Sequence, residues 1–192
     1  MAEIDTTAPR TVALADGAPL VVRPAAVADA PAVAVIERAL ALAGDGMVVA
    51  VDQVRDATAE AHRIDAMYRG WSAGDASMIA VAALAGEVVA HASLRQLAPA
   101  RCRHVGVLAI GVAATARRRG VAAALLGYLV DHAAAWGLVR LELTVRADNA
   151  PAQALYRRLG FVVEATRARF VRLDDGRYVD DLVMVRFLPA IT

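Results

Sequence analysis

Two adjacent apolar runs constrain the fold of this chain more than any other feature of its sequence. Residues 78–84 and 88–94 consist mainly of Ala, Val and Leu, and only Ala85-Gly86-Glu87 separates them. Apolar runs of this length with a glycine-containing turn between them are typical of an antiparallel β-hairpin. The sequence therefore predicts a sheet that contains this hairpin.

Helical and extended patterns alternate along the rest of the chain. The apolar spacing and the Gly and Pro positions predict helices at residues 29–42, 53–68, 120–136 and 149–160, with Asp29 capping the first. Further strands are predicted at residues 20–23, 105–112, 141–145, 161–164, 168–173 and 182–187. We expect one α/β (α+β) domain over residues 19–188, with a central, mixed, mostly antiparallel and twisted sheet flanked by helices. Residues 1–18 lack periodicity and are expected to form a flexible leader.

Composition and charge argue against several classes of function. The chain has 192 residues and a formal net charge of +1, whereas nucleic-acid-binding proteins are usually basic overall. No apolar run reaches the roughly 18 residues of a membrane span, and the N-terminus lacks the pattern of a secretory signal. The single cysteine, Cys102, excludes an internal disulfide. We expect a cytoplasmic protein with no nucleic-acid, membrane or metal partner.

Three consecutive arginines precede a glycine at the start of the third predicted helix. The stretch reads Arg117-Arg118-Arg119-Gly120 and continues into small and aliphatic residues. The first backbone amides of a helix lack partners within it, and the helix dipole favours an anion there. A diphosphate site and a solvated charge run at a helix start both fit this pattern. The Walker and Gly-x-Gly-x-x-Gly nucleotide motifs are absent from the stretch.

Three motifs together resemble those of the GNAT superfamily of N-acetyltransferases. The stretch from Arg117 to Ala122, RRRGVA, is similar to the family's Arg/Gln-x-x-Gly-x-Gly/Ala signature. Residues 149–161, NAPAQALYRRLGF, resemble the Asn-x-x-Ala-x-x-Leu-Tyr-x-x-x-Gly-Phe segment, and residues 175–184 resemble an Asp-Gly-x-Tyr-x-Asp…Met ending. The resemblance covers nearly the whole chain after the leader and implies the GNAT fold. It also implies acetyl-CoA as cosubstrate and is compatible with a homodimer.

The resemblance assigns cofactor-binding roles to main-chain groups near the arginines. The strands at 105–112 and 141–145 are expected to separate at their ends, so that pantetheine enters between them as an added strand. Residues whose groups are expected to contact acetyl-CoA are Ile110, Val112, Arg117, Arg118, Arg119, Gly120, Val121, Ala122, Ala123 and Asn149. For Asn149, an N-cap that satisfies helix amides is an equally good interpretation.

The resemblance also implies the chemistry. A primary amine of a small molecule or amino acid attacks the thioester directly, without a covalent enzyme intermediate, and Tyr156 protonates the departing thiolate. Packing of Tyr156 within its helix is the alternative interpretation of that residue. A protein N-terminus or a lysine is the second choice of acceptor. A function of another class, a non-catalytic acyl-CoA-binding module, also stays open.

The sequence departs from the family pattern at the general base. Many relatives carry a glutamate in the strand before the diphosphate loop, and that position falls at Gly106 or Val107 here. A direct carboxylate base on this strand is therefore not expected. The remaining candidates are His104, His91, Glu87, Glu37 and Glu60.

Overall fold

A computed structural model describes residues 8–44, 46, 48–72 and 74–189, with the backbone alone for residues 71 and 72. These residues form one eight-stranded sheet and four α-helices. The strands are β1 (Arg10–Ala13), β2 (Pro19–Pro24), β3 (Met78–Leu84), β4 (Glu87–Gln96), β5 (Val105–Val112), β6 (Arg140–Arg146), β7 (Val162–Arg172) and β8 (Tyr178–Phe187). The helices are α1 (Ala30–Leu42), α2 (Ala57–Ser72), α3 (Val121–Ala135) and α4 (Ala150–Arg158). None of the described helices is long and apolar enough to cross a membrane.

The sheet is mixed and mostly antiparallel, as predicted. Its strand order is β1-β2-β3-β4-β5-β6-β8-β7, and β5 with β6 is the parallel pair among the described strands. The predicted hairpin forms between β3 and β4, with Met78 opposite Leu94 and Leu84 opposite Glu87. The α/β (α+β) prediction is confirmed.

The predicted flexible leader over residues 1–18 is wrong for residues 10–13. These residues form β1, which pairs with β2 from Arg10 opposite Val22 to Ala13 opposite Pro19. A tight turn joins the strands, in which the amide of Gly17 donates to the carbonyl of Leu14. Leu14 itself is buried in the core, so burial and strand pairing fix this segment. Residues 1–7 of the predicted leader lie outside the described residues.

Two helix starts differ from the prediction. Asp29 does not cap α1 with its side chain, because its carboxylate accepts two bonds from Arg23, at 2.6 and 2.8 Å, and one from the amide of Ala26 at 2.7 Å. The second helix begins at Ala57 and not near residue 53. Asp56 directly precedes it and accepts a hydrogen bond from the amide of Ala59 at 2.8 Å, which is the geometry of an N-cap.

The last two strands are longer than predicted. Residues 161–164 and 168–173 were predicted as separate strands, but β7 runs continuously from Val162 to Arg172. The register against β8 shifts between Val163 and Ala165 and again between Arg167 and Val171. Such bulges break the two-residue alternation, so that one strand has the sequence pattern of two.

Helices cover the two faces of the sheet unequally. On one face, α3 and α4 bury the large core, whose biggest members include Leu125, Leu129 and Phe161. On the opposite face, which we call the α1 face, α1 and α2 bury a smaller cluster around Val33 and Ile64. Beyond that cluster the α1 face is uncovered, because Ala109 of β5 and Thr144 of β6 are exposed although both strands are central. The fold thus leaves the α1 face open over part of β5 and β6.

We expect Gly106→Val to destabilise the fold by about 1–3 kcal/mol, because it overpacks the core. A β-carbon at Gly106 would lie 2.7 Å from Leu94 and 2.9 Å from Leu138. Ala109→Val, at an exposed position of the same strand, is the matched control and should leave the free energy of unfolding nearly unchanged. Urea denaturation measures both variants, and equal stability of the two would show that the site is not tightly packed.

Candidate active site

The parallel strands β5 and β6 separate after a short paired segment. Among the described residues their register comprises Val105 with Arg140, Gly106 with Leu141 and Val107 with Glu142. Beyond these pairs β5 remains bonded to β4 up to Val112, while β6 remains bonded to β8 up to Arg146. We call the space between residues 108–112 and 143–146 the strand gap. The main-chain groups on its two sides are not paired by any described strand of the sheet, so an extended ligand can bond to them.

The N-terminus of α3 supplies a row of unpaired backbone amides beside the strand gap. Gly120 precedes the helix with a φ of 95°, and Arg118 has a φ of 59°, so the chain turns sharply before the helix begins. Within the described ranges the amides of residues 118–123 donate no hydrogen bond, and the amide of Ala124 is the next to bond, to the carbonyl of Gly120. We call residues 118–123 the amide row. Its donors and the helix dipole together favour an anion.

The three arginines that look alike in the sequence differ in the structure. The Nε atom of Arg117 donates to the carbonyl of Val112 at 3.3 Å. The guanidinium of Arg119 pairs with Asp16, with its Nε atom 2.8 Å from the carboxylate. Arg118 is exposed and forms no hydrogen bond or ion pair with the part of the chain that is described. Arg118 is therefore the arginine of this cluster that is available to a phosphate without breaking another contact.

The other predicted cofactor-binding residues are placed around the amide row and the strand gap. Ile110 and Val112 lie on the β5 side of the gap, and both side chains pack partly buried against the core under α3. Val121 is buried in the same core, so it can offer a ligand its amide and not its side chain. Ala122 and Ala123 begin the first turn of α3 and are half-buried.

Tyr156 lies on α4, which begins a few residues after β6 ends. The tyrosine is 8% exposed, and its ring meets that of Phe161 edge-on at 6.2 Å between centroids. Burial raises the pKa of Tyr156 to about 12, because the apolar surroundings disfavour the phenolate. Its hydroxyl forms no hydrogen bond with the described residues and is not among their fully buried unpaired polar atoms. Tyr156 therefore presents a neutral phenol at an accessible position, which suits a proton donor.

Asn149 joins α4 to the loop between α1 and α2. Its side-chain oxygen accepts a hydrogen bond from the amide of Ala152 at 3.2 Å, which confirms the N-cap interpretation. A β-carbon on Gly46 would lie 2.9 Å from the side-chain nitrogen Nδ2 of Asn149. The guanidinium of Arg146 donates to the carbonyl of Gly44 at 2.8 Å. No local pattern in the sequence indicates this contact, because it joins residues 102 positions apart. Residues 44 and 46 thus lie beside the end of β6 at the strand gap.

The family position for a carboxylate base is blocked at Gly106. The glycine is buried, and Leu94, Leu138 and Leu141 fill the space of a side chain there. Val107 is half-buried on the opposite face. The structure therefore agrees with the expectation that this strand carries no carboxylate base.

The five other base candidates differ in position. His104 lies before β5, at the end of the strand opposite the gap, and Glu87 is the exposed first residue of β4. Glu60 is fully buried and already paired with Arg55 and Arg63. The remaining two, His91 of β4 and Glu37 of α1, meet on the α1 face next to β5.

His91 and Glu37 form a buried pair beside the strand gap. The nearest distance between them is 3.9 Å, from His91 Nε2 to a carboxylate oxygen of Glu37. Arg55 also contacts Glu37, at 3.3 Å, so the carboxylate has a cationic partner. Burial lowers the pKa of His91 to about 4, and the positive charge of Arg63 adds to that effect, so the imidazole is neutral at physiological pH.

Two aspartates near the C-terminus, Asp180 and Asp181, are already engaged. The Asp181 carboxylate is buried and paired with Arg167, while a carboxylate oxygen of Asp180 accepts from the amide of Arg169 at 2.8 Å. The charge of Asp181 is therefore already balanced by an arginine. In the described ranges no three His, Cys, Asp or Glu side chains are grouped closely enough to hold a metal ion.

Comparison with known proteins identifies the family. Residues 49–161, more than half of the chain, match the acetyltransferase (GNAT) family, and the chain belongs to that family. The L-amino acid N-acetyltransferase AaaT of Escherichia coli is 38% identical over 107 residues, which are 55% of this chain and 65% of that protein. The ribosomal protein bS18-alanine N-acetyltransferase of Escherichia coli is 43% identical over 61 residues, 32% of this chain and 41% of that protein. The matched part of the chain thus spans less than two thirds of either relative.

Solved structures agree with the fold. The crystal structure of a GNAT-family acetyltransferase from Streptococcus pneumoniae superposes with a TM-score of 0.79 at 26% identity. The superposition covers 88% of this chain and 99% of that one. The GNAT fold implied by the sequence motifs is therefore confirmed over most of the chain.

We expect Tyr156 to stay protonated well above the range in which an ordinary tyrosine ionises. Because its pKa is raised to about 12, the tyrosinate absorbance of the native protein up to about pH 10.5 should be the same with and without Tyr156→Phe. The wild-type protein has four tyrosines. In guanidinium chloride the variant should therefore show the absorbance of one tyrosinate fewer than the wild type. A native-state difference of one full tyrosine below that pH would contradict the buried, neutral phenol.

Proposed function

We propose that the protein is an acetyl-CoA-dependent N-acetyltransferase that transfers an acetyl group to a primary amine of a small molecule or amino acid. One observation carries the proposal: the amide row lies at the end of the strand gap, with Tyr156 following the far strand of that gap. An anion site, an extended seat and a neutral acid are the three parts that an acyl-CoA thioester needs.

The residues fit acetyl-CoA in one orientation. Its diphosphate is expected on the amide row, with Arg118 as the flexible cation that reaches the phosphate oxygens. Its pantetheine is expected in the strand gap, bonded to the main chain of β5 around Ile110 and Val112. The Val112 carbonyl already accepts from Arg117, so that bond fixes the end of β5 beside the ligand.

The chemistry is a direct transfer. A neutral amine attacks the thioester carbonyl from the open α1 face, where Ala109 and Thr144 leave the sheet uncovered. The carbon–nitrogen bond forms, the carbon–sulfur bond breaks, and the phenol of Tyr156 gives its proton to the sulfur. The nitrogen loses one proton, and the phenolate regains one from solvent, so the products are the amide and the free thiol. Tyr156 packs with the core under α3 and α4, so it approaches from the face opposite the amine.

The acceptor is proposed to carry its amine next to a small polar group. The α1 face is open over β6, and residues 44 and 46 contact Arg146 and Asn149 at the end of that strand. The similarity to an L-amino acid N-acetyltransferase supports a free amino acid as the acceptor. The shorter match to an enzyme that acetylates a ribosomal protein's alanine supports a protein N-terminus as the second candidate. Both acceptors present an α-amino group.

The first test measures thiol release from acetyl-CoA with free amino acids, polyamines, aminoglycosides and short peptides. We expect turnover with an amino acid, and a kcat about 100-fold lower for Tyr156→Phe, because the thiolate then leaves without an acid. The KM for acetyl-CoA should be unchanged, since the substitution removes only the hydroxyl. Turnover with peptides alone would favour the protein N-terminus. Cofactor binding without turnover on any amine would favour the non-catalytic module.

A second test examines Arg118, the arginine of the cluster that is proposed to reach the diphosphate. We expect Arg118→Gln to weaken coenzyme A binding, measured by calorimetry, by about 10-fold, because one charge-assisted phosphate contact is lost. Arg101→Gln, at an exposed position between β4 and β5, is the matched control and should leave the Kd unchanged. Pantetheine, which has no phosphate, should bind both variants equally. Equal coenzyme A affinity for the two variants would remove Arg118 from the site.

A further inference from the structure

His91 Nε2 is the one fully buried side-chain polar atom without a hydrogen-bond partner among the described residues. A buried polar atom without a partner costs free energy, so its presence in a folded protein calls for an explanation. The residue is 7% exposed, on β4 in the middle of the sheet. The neighbouring charged groups form ion pairs with one another, and none of them forms a hydrogen bond with Nε2.

The unpaired nitrogen lies against the β5 side of the strand gap. His91 stands directly opposite Gly111 in the β4–β5 register. A β-carbon on Gly111 would lie only 2.6 Å from Nε2 and 2.9 Å from the side chain of Leu40. Any other residue at this position would push the imidazole away from β5. The glycine therefore allows Nε2 to lie next to the main chain on which the thioester is expected to rest.

The imidazole also lies on the face from which an amine approaches. The side chains of Ile110 and Val112 pack toward α3. The side chain of Ala109, and a β-carbon placed on Gly111, therefore point to the α1 face. Tyr156 contacts the core of the other face. A thioester in the strand gap would thus have His91 on one side and the phenol on the other.

The charges around His91 are balanced only while it is neutral. Glu37 reaches it from α1, Glu60 and Arg63 from α2, and Arg55 from the segment before α2. The two carboxylates and the two guanidinium groups pair among themselves. From β3, the residue opposite His91 is the apolar Val81. A proton on the imidazole would therefore be stabilised by the two carboxylates: Glu37 lies 3.9 Å from Nε2, and the charge of Glu60 favours the protonated form.

We infer that His91 accepts the proton of the attacking amine through Nε2, with Glu37 stabilising the imidazolium, in place of the glutamate that β5 lacks. This inference rests on the proposed function and identifies the base of that same site. As the carbon–nitrogen bond forms, the amine proton passes to Nε2; as the carbon–sulfur bond breaks, the phenol proton of Tyr156 passes to sulfur. The imidazolium and the phenolate then exchange a proton through solvent, which restores both groups. The products are the amide and the free thiol.

The surroundings of His91 keep its imidazole in the neutral form, which is the form that can accept a proton. Because the pKa of His91 is lowered to about 4, the imidazole is unprotonated and ready throughout the physiological range. A base of this pKa does not deprotonate a free ammonium ion, but it can take a proton from the nitrogen once the amine has added to the carbonyl and become more acidic.

The test is the pH dependence of kcat for His91→Gln, which retains a polar side chain but cannot take up a proton. We expect kcat near neutral pH to fall about 100-fold with an unchanged Kd for coenzyme A, since the diphosphate site is untouched. The wild-type kcat should be level from about pH 6 to about pH 9. The variant's kcat should rise about tenfold per pH unit, because hydroxide must then take the proton.

The matched control is His132→Gln. His132 is equally buried, but it lies on α3, and its Nδ1 atom is 2.7 Å from the carbonyl of Tyr128. This variant should lower the melting temperature without changing the shape of the pH profile. Glu37→Gln is the second variant, for the case that His91→Gln does not fold, and should lower kcat about tenfold because the imidazolium loses its counter-charge.

The outcomes separate this inference from the proposed function. Wild-type turnover together with a level profile and an unchanged kcat in His91→Gln would overturn the role of His91 and leave the transferase intact. Absence of wild-type turnover with every amine, despite coenzyme A binding, would overturn the proposed function, and the base with it. A reduced kcat with the wild-type pH profile would show that His91 only supports the packing of Gly111, and would also overturn the inference.

Discussion

The separation of β5 from β6 is the constraint on which the rest of the structure depends. Each of these strands bonds fully to its outer neighbour, but they bond to each other over three residue pairs only. The chain runs from β5 through α3 to β6 and then into α4. The amide row, the strand gap and Tyr156 therefore lie at the same end of the sheet. The connectivity alone brings together the groups that are proposed to bind the diphosphate, bind the pantetheine and protonate the thiolate.

The two faces of the sheet differ in how completely helices cover them. The face under α3 and α4 is a continuous apolar core, whereas the α1 face is covered over β3 and β4 and open over β6. At the border of the covered part lie Glu37, Glu60, Arg55 and Arg63, a set with no net charge. These ion pairs join α1, the segment before α2 and α2 at the border of the covered part.

The accuracy of the sequence predictions followed the regularity of the local pattern. The elements β3, β5 and α3 were predicted closely, because a continuous apolar run marks each of the two strands and a glycine flanks α3 near each end. The strand β1 was missed because it has four residues and is stabilised by pairing with β2. The strand β7 was split in two because its bulges interrupt the alternation. The cap of α1 was misassigned because Arg23 binds the Asp29 carboxylate instead.

The sequence by itself determined the family, and it proposed the loop of residues 117–122 and Tyr156 as site residues, because each is recorded in a contiguous motif whose spacing is set by local helix and turn geometry. Only the tertiary structure decided which groups of the site are free. Arg119 is occupied by Asp16, 103 positions away, while Arg118 is not. His91 is placed against Gly111 by strand pairing and against Glu37 by helix packing. Such contacts depend on distance in space, which a linear pattern does not record.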